Sequence, residues 1–246
     1  MKIATWNVNG IRARQTQLCD WLERDRPDVV CLQELKAQPD QIPERCKLDN
    51  YHVFWHGLRA YSGVSLHIKK SLFDAEPAFS HPDFDMESRI VQVEFGNRIF
   101  ASVYVPNGGK DYPAKLAFFK RLIVWAKQLH ADGRELVLCG DMNIARTEID
   151  VHPRERRPVI GQLPEERQLF EELLGEHLVD VQRKLEPDNA NLFTWWAPWR
   201  NMRQRNIGWR LDYILASPTI ASRATSCVVL ADVGTSDHGP VMMTTT

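Results

Sequence analysis

Residues 89–105, RIVQVEFGNRIFASVYV, decide the fold class. Two apolar runs flank Gly96-Asn97, so the stretch reads as a hairpin of strands 89–95 and 98–105. The period then changes. From Pro113 to about His130, Leu116, Phe119, Leu122, Ile123, Ala126 and Leu129 recur at steps of three and four, and Pro113 sits where a first helical turn tolerates it. ELVLCGD at 135–141 returns to a strand. Outward from this core, further strands are expected at 3–9, 28–34, 51–57, 63–69, 211–217, 226–232 and 239–245. Helices are expected over 11–25, through Leu18, Trp21 and Leu22, and over 165–174. The latter has Pro164 before it, Glu165 and Glu166 in its first turn, and Leu169, Phe170, Leu173 and Leu174 as its inner face. Many strands, few helices and antiparallel neighbours imply one α/β domain over 1–246, with stacked sheets and helices outside.

At 246 residues, 43% hydrophobic and 26% charged, the chain matches a soluble globular protein that needs no disulfide to build a core. Its 31 Lys and Arg against 32 Asp and Glu leave a net charge of -1, which argues against a protein held on nucleic acid by overall charge. Five cysteines form no CxxC or His/Cys cluster. Cys31 and Cys139 lie inside apolar strands and read as small buried hydrophobes, which fits a reducing cytosol. MKIATWNVNG carries no apolar leader, and no run is long enough to span a bilayer, so a cytoplasmic protein without a membrane partner is expected.

Several strands stop abruptly in polar residues. IATW ends in Asn7 and Asn9, VVCLQ in Glu34, ASVYVP in Tyr104 and Asn107, and LVLCG in Asp141 and Asn143. Any one of these, alone, is better read as an Asx turn or a satisfied loop carboxylate. Four together suggest a site on a rigid platform of strand ends. Asp212 in WRLDYIL and the Ser236-Asp237-His238 turn add two more candidates. If these ends converge, Glu34, Asp141, Asp212 and Asp237 crowd four carboxylates together, at a cost unless a cation or protons join them. Hard oxygen ligands without Cys or a paired-His motif favour Mg²⁺ or Mn²⁺ over Zn²⁺, and metal-assisted attack on a phosphate as the chemistry.

The segment 195–210, WWAPWRNMRQRNIGWR, holds Trp195, Trp196, Trp199 and Trp209 with Arg200, Arg203, Arg205 and Arg210, and no acid. A Trp-rich loop covered by Arg stems would explain one or two of these tryptophans. Aromatics interleaved with Arg also suit a nucleic-acid groove, in which charge follows phosphates and rings stack on bases. Arg154, Arg156 and Arg157 form a second basic cluster, whose default reading is a solvated loop. The net charge is thus an average over an acidic cleft and a basic segment, and predicts a modest, salt-sensitive phosphate footprint.

WNVNGIR, LQELKA, YSGV, YVPNGG, GDMNIA, LPEER, GWRLDYIL and SDHGPV, running in order from Lys2 to Val241, together resemble the exonuclease III family of apurinic/apyrimidinic (AP) endonucleases, within the endonuclease/exonuclease/phosphatase superfamily. The resemblance implies a four-layer α-β-β-α sandwich. It also implies a Mg²⁺-dependent DNA repair hydrolase, with Mn²⁺ as a substitute, that cuts 5′ to abasic sites in duplex DNA and leaves a 3′-hydroxyl. Cleaning of blocked 3′ ends and 3′-5′ exonuclease activity accompany that reaction in many members. Such a protein would act as a monomer in the cytoplasm, on the nucleoid if bacterial.

Carried over residue by residue, the resemblance makes Glu34 the principal metal ligand, helped by Asn7, Asn9 and Asp237, with Asp141, Asn143 and His238 bordering the ion. Asp141 would orient or deprotonate the attacking water beside Asn143. His238, oriented by Asp212, would contact the scissile phosphate, and Tyr104 would lie against the phosphate or leaving oxygen. Trp195, Trp209 and Leu211 match an apolar pocket for a flipped baseless sugar, and Arg12, Tyr61, Asn107 and Lys110 match DNA contacts. Asn9 stands where some relatives have a carboxylate, segment 152–162 carries Arg instead of an Asn-containing pattern, and Arg146 is bulky near the pocket. Three alternatives follow: a 3′-phosphatase or exonuclease with little AP incision, a phosphoesterase on a non-DNA phosphate, and a non-catalytic DNA-binding protein.

Overall fold

The computed structural model describes residues 1–72 and 76–246. In chain order the strands are β1 (Lys2–Asn7), β2 (Val29–Gln33), β3 (Tyr51–Leu58), β4 (Tyr61–Lys69), β5 (Phe79–Ser80) and β6 (Ile90–Phe95). They continue as β7 (Arg98–Tyr104), β8 (Glu135–Asp141), β9 (Val179–Asp180), β10 (Asp212–Ala216), β11 (Ala224–Val229) and β12 (Val241–Thr245). The helices are α1 (Ile11–Asp25), α2 (Tyr112–Ala131), α3 (Pro164–Gly175), α4 (Val181–Leu185) and α5 (Pro218–Ala221). The strands form two six-stranded mixed sheets, ordered β11-β12-β1-β2-β4-β3 and β5-β6-β7-β8-β10-β9.

Side-chain alternation builds the layers. On β2, Val29 and Cys31 point between the sheets, where they meet Val91, Phe100, Val137, Cys139 and Ile214 of the second sheet. Val30 and Leu32 point the other way, onto Leu18, Trp21 and Leu22 of α1. On β8, Val137 and Cys139 face the first sheet, while Leu136 and Leu138 face Phe119 and Leu122 of α2 and Phe170 of α3. The result is helix, sheet, sheet, helix. All five cysteines are free and buried, and no helix among the described residues is long and apolar enough to cross a membrane.

Helix α1 has the expected bounds. It closes on Arg26 in the left-handed conformation, whose N–H donates to the Leu22 carbonyl. Helix α2 starts at Asp111, whose side chain accepts the Ala114 N–H at 2.9 Å, with Pro113 in the first turn. Its buried face is rotated from the expected one: Lys115 and Phe118 are buried, while Leu116, Ile123 and Leu129 are only partly so. The last hairpin also differs, since β11 ends at Val229 and the residues expected to extend it to 232 form the turn before Val233.

One buried network pins the start of β10. Arg210, fully buried, donates from Nε to Asp150 Oδ1 at 2.7 Å and makes a two-pronged contact with Asp180 at 2.9 and 2.6 Å. Arg183 adds a bond to Asp150 at 2.6 Å. Burial alone would raise the Asp150 carboxyl, but Arg210 and Arg183 overcome it and hold the group at about 2. Asp150 therefore contributes stability that is complete above about pH 4 and lost as pH falls toward about 2. Arg210→Met leaves Asp180 without its two-pronged partner, so urea unfolding should show a loss of about 3–5 kcal/mol. A loss below about 1 kcal/mol would mean that the network is not what secures this strand.

Candidate active site

Both sheets contain a parallel pair, β1 with β2 and β7 with β8, so their carboxyl ends share an edge. Register sets Asn7 beside Gln33, Tyr104 beside Asp141, and Asp141 beside Asp212 of antiparallel β10. The two sheets end alike. Asn7 Oδ1 accepts the Asn9 N–H at 3.0 Å, and Asp141 Oδ1 accepts the Asn143 N–H at 2.8 Å. These are Asx turns, present together with the convergence rather than instead of it. Asn9, Glu34 and Asn143 have φ of 45, 57 and 50, left-handed values that Asn tolerates and Glu adopts only under constraint. At Glu34 the constraint is visible: its carbonyl accepts the Gly10 N–H at 2.8 Å, and the next N–H, of Leu35, donates to Gly63 at 3.1 Å.

His238 is buried at the centre. Its Nδ1 lies 2.8 Å from Asp212 Oδ2, and its Nε2 faces Asp141 Oδ2 at 3.9 Å. Thr194 Oγ1 donates to the same Asp212 oxygen at 2.6 Å, and Trp6 Nε1 donates to the His238 carbonyl at 3.1 Å. Burial would lower the imidazole, but Asp212, then Asp141, raise it to about 10, so it is an imidazolium at neutral pH. Burial pushes the Asp141 carboxyl up to about 7 against the pull of His238, with Asp212 adding to the rise. Asp141 Oδ2 accepts the Asn7 amide at 2.9 Å and the Asn143 amide at 3.3 Å.

Beside this dyad, Lys36 Nζ stands 2.6 Å from Asn9 Oδ1 and 2.9 Å from Glu34 Oε1. Asn9 Nδ2 donates to Asp237 Oδ1 at 2.7 Å, and Trp195 Nε1 donates to Asp237 Oδ2 at 3.0 Å. Burial would raise Asp237, but His238, Asn9 and Trp195 lower it. The residues fit a divalent cation. A cationic group already sits between Glu34 and Asn9, burial and the neighbouring Asp212 raise the Asp141 carboxyl, and the donors are oxygens with one imidazole. Asp141, Asp212 and His238 also offer ligand atoms within 4.8 Å of one another.

These groups line a cleft of about 440 Å³ whose far wall is apolar: Trp195, Trp209, Leu211, Ile160 and Gly161. The Trp195 and Trp209 rings meet edge to face at 5.4 Å. Gly161 is needed there, because its φ is +92 and a Cβ would come within 3.0 Å of the Trp209 ring. Asn107 lines the cleft; Tyr61 and Lys110 lie in an adjoining groove with Asn107 and Tyr104, the Lys110 ammonium 5.6 Å from the Tyr61 ring centre. Arg12 is exposed on the first turn of α1, donating to the Lys36 carbonyl at 3.4 Å.

The Trp/Arg segment divides. Trp195 and Trp209 face the cleft, Trp199 is 59% exposed, and Arg200 and Arg205 are exposed. Trp196 and Arg210 are core residues, and Arg203 spends its donors on the carbonyls of Ala231, Val233, Gly234 and Ser236. Arg146 does not crowd the cleft: it pairs with Glu171 at 2.6 Å and Asp180 at 3.5 Å. Three residues escaped the sequence reading. Lys36 lies two positions after Glu34 and could have been found from that spacing. Arg89 is buried with its guanidinium 4.8 Å from the Tyr104 ring and 5.4 Å from that of Tyr61. Lys115 donates to the Asn143 carbonyl at 2.7 Å and pairs with buried Glu166 at 2.5 Å. Neither Arg89 nor Lys115 carries a local signal.

The profile of the endonuclease/exonuclease/phosphatase family matches residues 4–238. An exodeoxyribonuclease of Bacillus subtilis (strain 168) is 33% identical over 251 residues, covering 98% of this chain and 98% of its own. An AP endonuclease from Archaeoglobus fulgidus shares the fold with a TM-score of 0.89 at 29% identity, over 100% of this chain and 99% of its own. A 3′ phosphatase from Neisseria, solved with a product DNA hairpin, has a TM-score of 0.90 at 30% identity, over 100% and 99%.

The dyad can be tested directly. Asp212→Asn removes the charge that raises His238, so the metal-free protein should show the imidazole titrating well below about 10 by NMR. Turnover should fall by about 10²–10⁴-fold. An unmoved imidazole titration would rule out Asp212 as the group that holds His238 charged. In the wild type the imidazolium's stabilising contribution is complete below about pH 6.5 and is lost as pH rises through about 10.

Proposed function

The chain belongs to the endonuclease/exonuclease/phosphatase family, and from that premise we propose that it is a Mg²⁺-dependent repair nuclease that hydrolyses the phosphodiester 5′ to abasic sites in duplex DNA. One observation carries this reading: the charged side chains of His238 and Asp141 and the apolar wall of Trp195, Trp209 and Leu211 line the same cleft. A sugar without its base costs least to extrude from the duplex and fits against such a wall, while its 5′ phosphate falls at the charged side.

Glu34, with Asn7, Asn9 and Asp237, would hold a Mg²⁺ or Mn²⁺ ion, with Asp141, Asn143 and His238 at its border. The bound ion would neutralise charge on the phosphate and on the departing 3′ oxygen. The chain's own groups divide the remaining work. Protonated His238 Nε2 donates to a phosphoryl oxygen, and Asp212 keeps the imidazole charged and aligned. The Tyr104 hydroxyl stays protonated, because burial and the charges of Glu34 and Asp141 push its pKa well up, so it can only donate to the phosphate. Asp141, aligned by Asn7 and Asn143, accepts the proton of the attacking water. An oxygen–phosphorus bond forms as the bond to the 3′ oxygen breaks, and that oxygen takes a proton from solvent to become the 3′-hydroxyl. Lys36 donates to the DNA backbone, or to the same oxygens when no ion is bound. Arg12, Tyr61, Asn107, Lys110, Arg200 and Arg205 contact the strands.

Removal of 3′ blocking groups is the second activity of the same centre, since a terminal phosphate needs the dyad but not the apolar wall. The likeness to a 3′ phosphatase supports it. On a duplex carrying one tetrahydrofuran site, incision should require Mg²⁺ and stop with EDTA. Asp141→Asn should lower turnover by at least about 10²-fold while DNA binding persists. Trp209→Ala should reduce the preference for the abasic duplex over intact duplex by about 10-fold or more and leave 3′-phosphate release near wild type. Incision without metal, or an unchanged preference in Trp209→Ala, would defeat the mechanism or the pocket respectively.

A further inference from the structure

A second cluster of ligating side chains lies away from the cleft and spans the two sheets. His56 is on β3, at the register shift between His56 and Leu58. His81 and Asp85 lie between β5 and β6. β3 and β5 are both edge strands, one in each sheet. His56 Nε2 is 2.7 Å from Asp85 Oδ2, and one ligand atom from each of the three residues lies within 4.8 Å of the other two.

The surroundings hold these groups in place. The imidazoles of His56 and His81 are stacked face to face, centroids 4.8 Å apart at 12°. The column continues through Phe54, 6.0 Å from His56, to Phe79, 5.6 Å from Phe54. The other Asp85 oxygen accepts the N–H groups of Arg89 at 2.8 Å and Ile90 at 3.0 Å, which fixes the carboxylate. An ordinary His–Asp ion pair would account for His56 and Asp85. It does not account for a second, exposed imidazole stacked on the first with a ring nitrogen within 4.8 Å of the same ligand atoms.

We propose that His56, His81 and Asp85 form a Zn²⁺ site, separate from the nuclease centre, that clips the edge of one sheet to the other. Two imidazoles and a carboxylate are the donor set of an open zinc site, with solvent as fourth ligand, and are poorly matched to Mg²⁺. Donors about 2.0–2.2 Å from a tetrahedral zinc stand roughly 3.4 Å apart, so the His56–Asp85 pair, 2.7 Å apart, opens to admit the ion. The ion takes the place of the hydrogen bond between His56 Nε2 and Asp85 Oδ2, and the proton of that bond goes to solvent. The clipped segment leads into Arg89, whose guanidinium packs on Tyr104, so the site secures the backbone behind one wall of the nuclease cleft.

The full chain, stripped of metal and then saturated with Mg²⁺ to occupy the cleft, is titrated with Zn²⁺ by calorimetry against a competing chelator. One equivalent should bind and raise Tm. His81→Ala, at an exposed position, should weaken binding by at least about tenfold, the loss already typical of outer-shell partners, and should abolish the Tm rise. Its Mg²⁺-dependent nuclease activity in zinc-free buffer should match wild type. Zinc uptake that is absent from the wild-type chain, or that survives His81→Ala, overturns the proposal. Loss of that uptake in His238→Ala instead would place the ion in the cleft.

Discussion

A hydrogen bond from Asn7 Nδ2 to Asp141 Oδ2, 2.9 Å long and buried, joins the end of one sheet to the end of the other. Below it runs a polar seam through an otherwise apolar interface. Thr5 Oγ1 donates to Gln33 Oε1 at 3.1 Å, Gln33 Nε2 to Ser102 Oγ at 3.1 Å, and Ser102 Oγ to the Leu32 carbonyl at 3.2 Å. Buried polar groups are costly unless paired, and these pair only in one offset of sheet on sheet. Apolar packing would tolerate sliding, but the seam does not. The relative positions of Glu34, Asp141, Asp212 and His238 come from different strands of both sheets, so all of them depend on that offset.

The chain handles buried acid in two ways. Asp150 and Asp180 are closed off by Arg210 and Arg183, cations that cannot leave and cannot be deprotonated. Asp141, Asp212, Asp237 and Glu34 have one imidazole and one half-exposed lysine between them, and an open cleft. The first arrangement is rigid and finished. The second leaves a deficit of positive charge that an exchangeable ion and a substrate's hydrogen-bond needs can meet. A net charge near zero conceals both.

Much of this was legible in the sequence. Period 2 and period 3.6 patterns give the long strands and α1 because those elements bury apolar faces, and abrupt polar endings give Asn7, Glu34, Tyr104 and Asp141 because strand ends are fixed platforms. What stayed hidden is pairing between distant charges. Arg210 and Arg203 look, in composition, like Arg200 and Arg205; only their partners, at 150, 180 and 231–236, make the former structural. Lys115 and Glu166 look solvated in a helix wheel, yet they bury each other and rotate the face that α2 presents. The two-residue strands β5 and β9 carry too little pattern to be seen, and exist because neighbouring strands offer them a ladder.

The placement of β12 affects how the molecule is made. It lies between β11 and β1, so the first sheet has a gap until residues 241–245 are in place, and the turn that carries Asp237 and His238 hangs from that same strand. Its pairing with β1 joins residues separated by most of the chain, the kind of contact that forms late. Until that strand pairs, Asp237 and His238 cannot take their places beside Asn9 and Asp212, and Trp195 lacks the bridge that it makes with His238. The cleft is therefore among the last parts of the molecule to be completed.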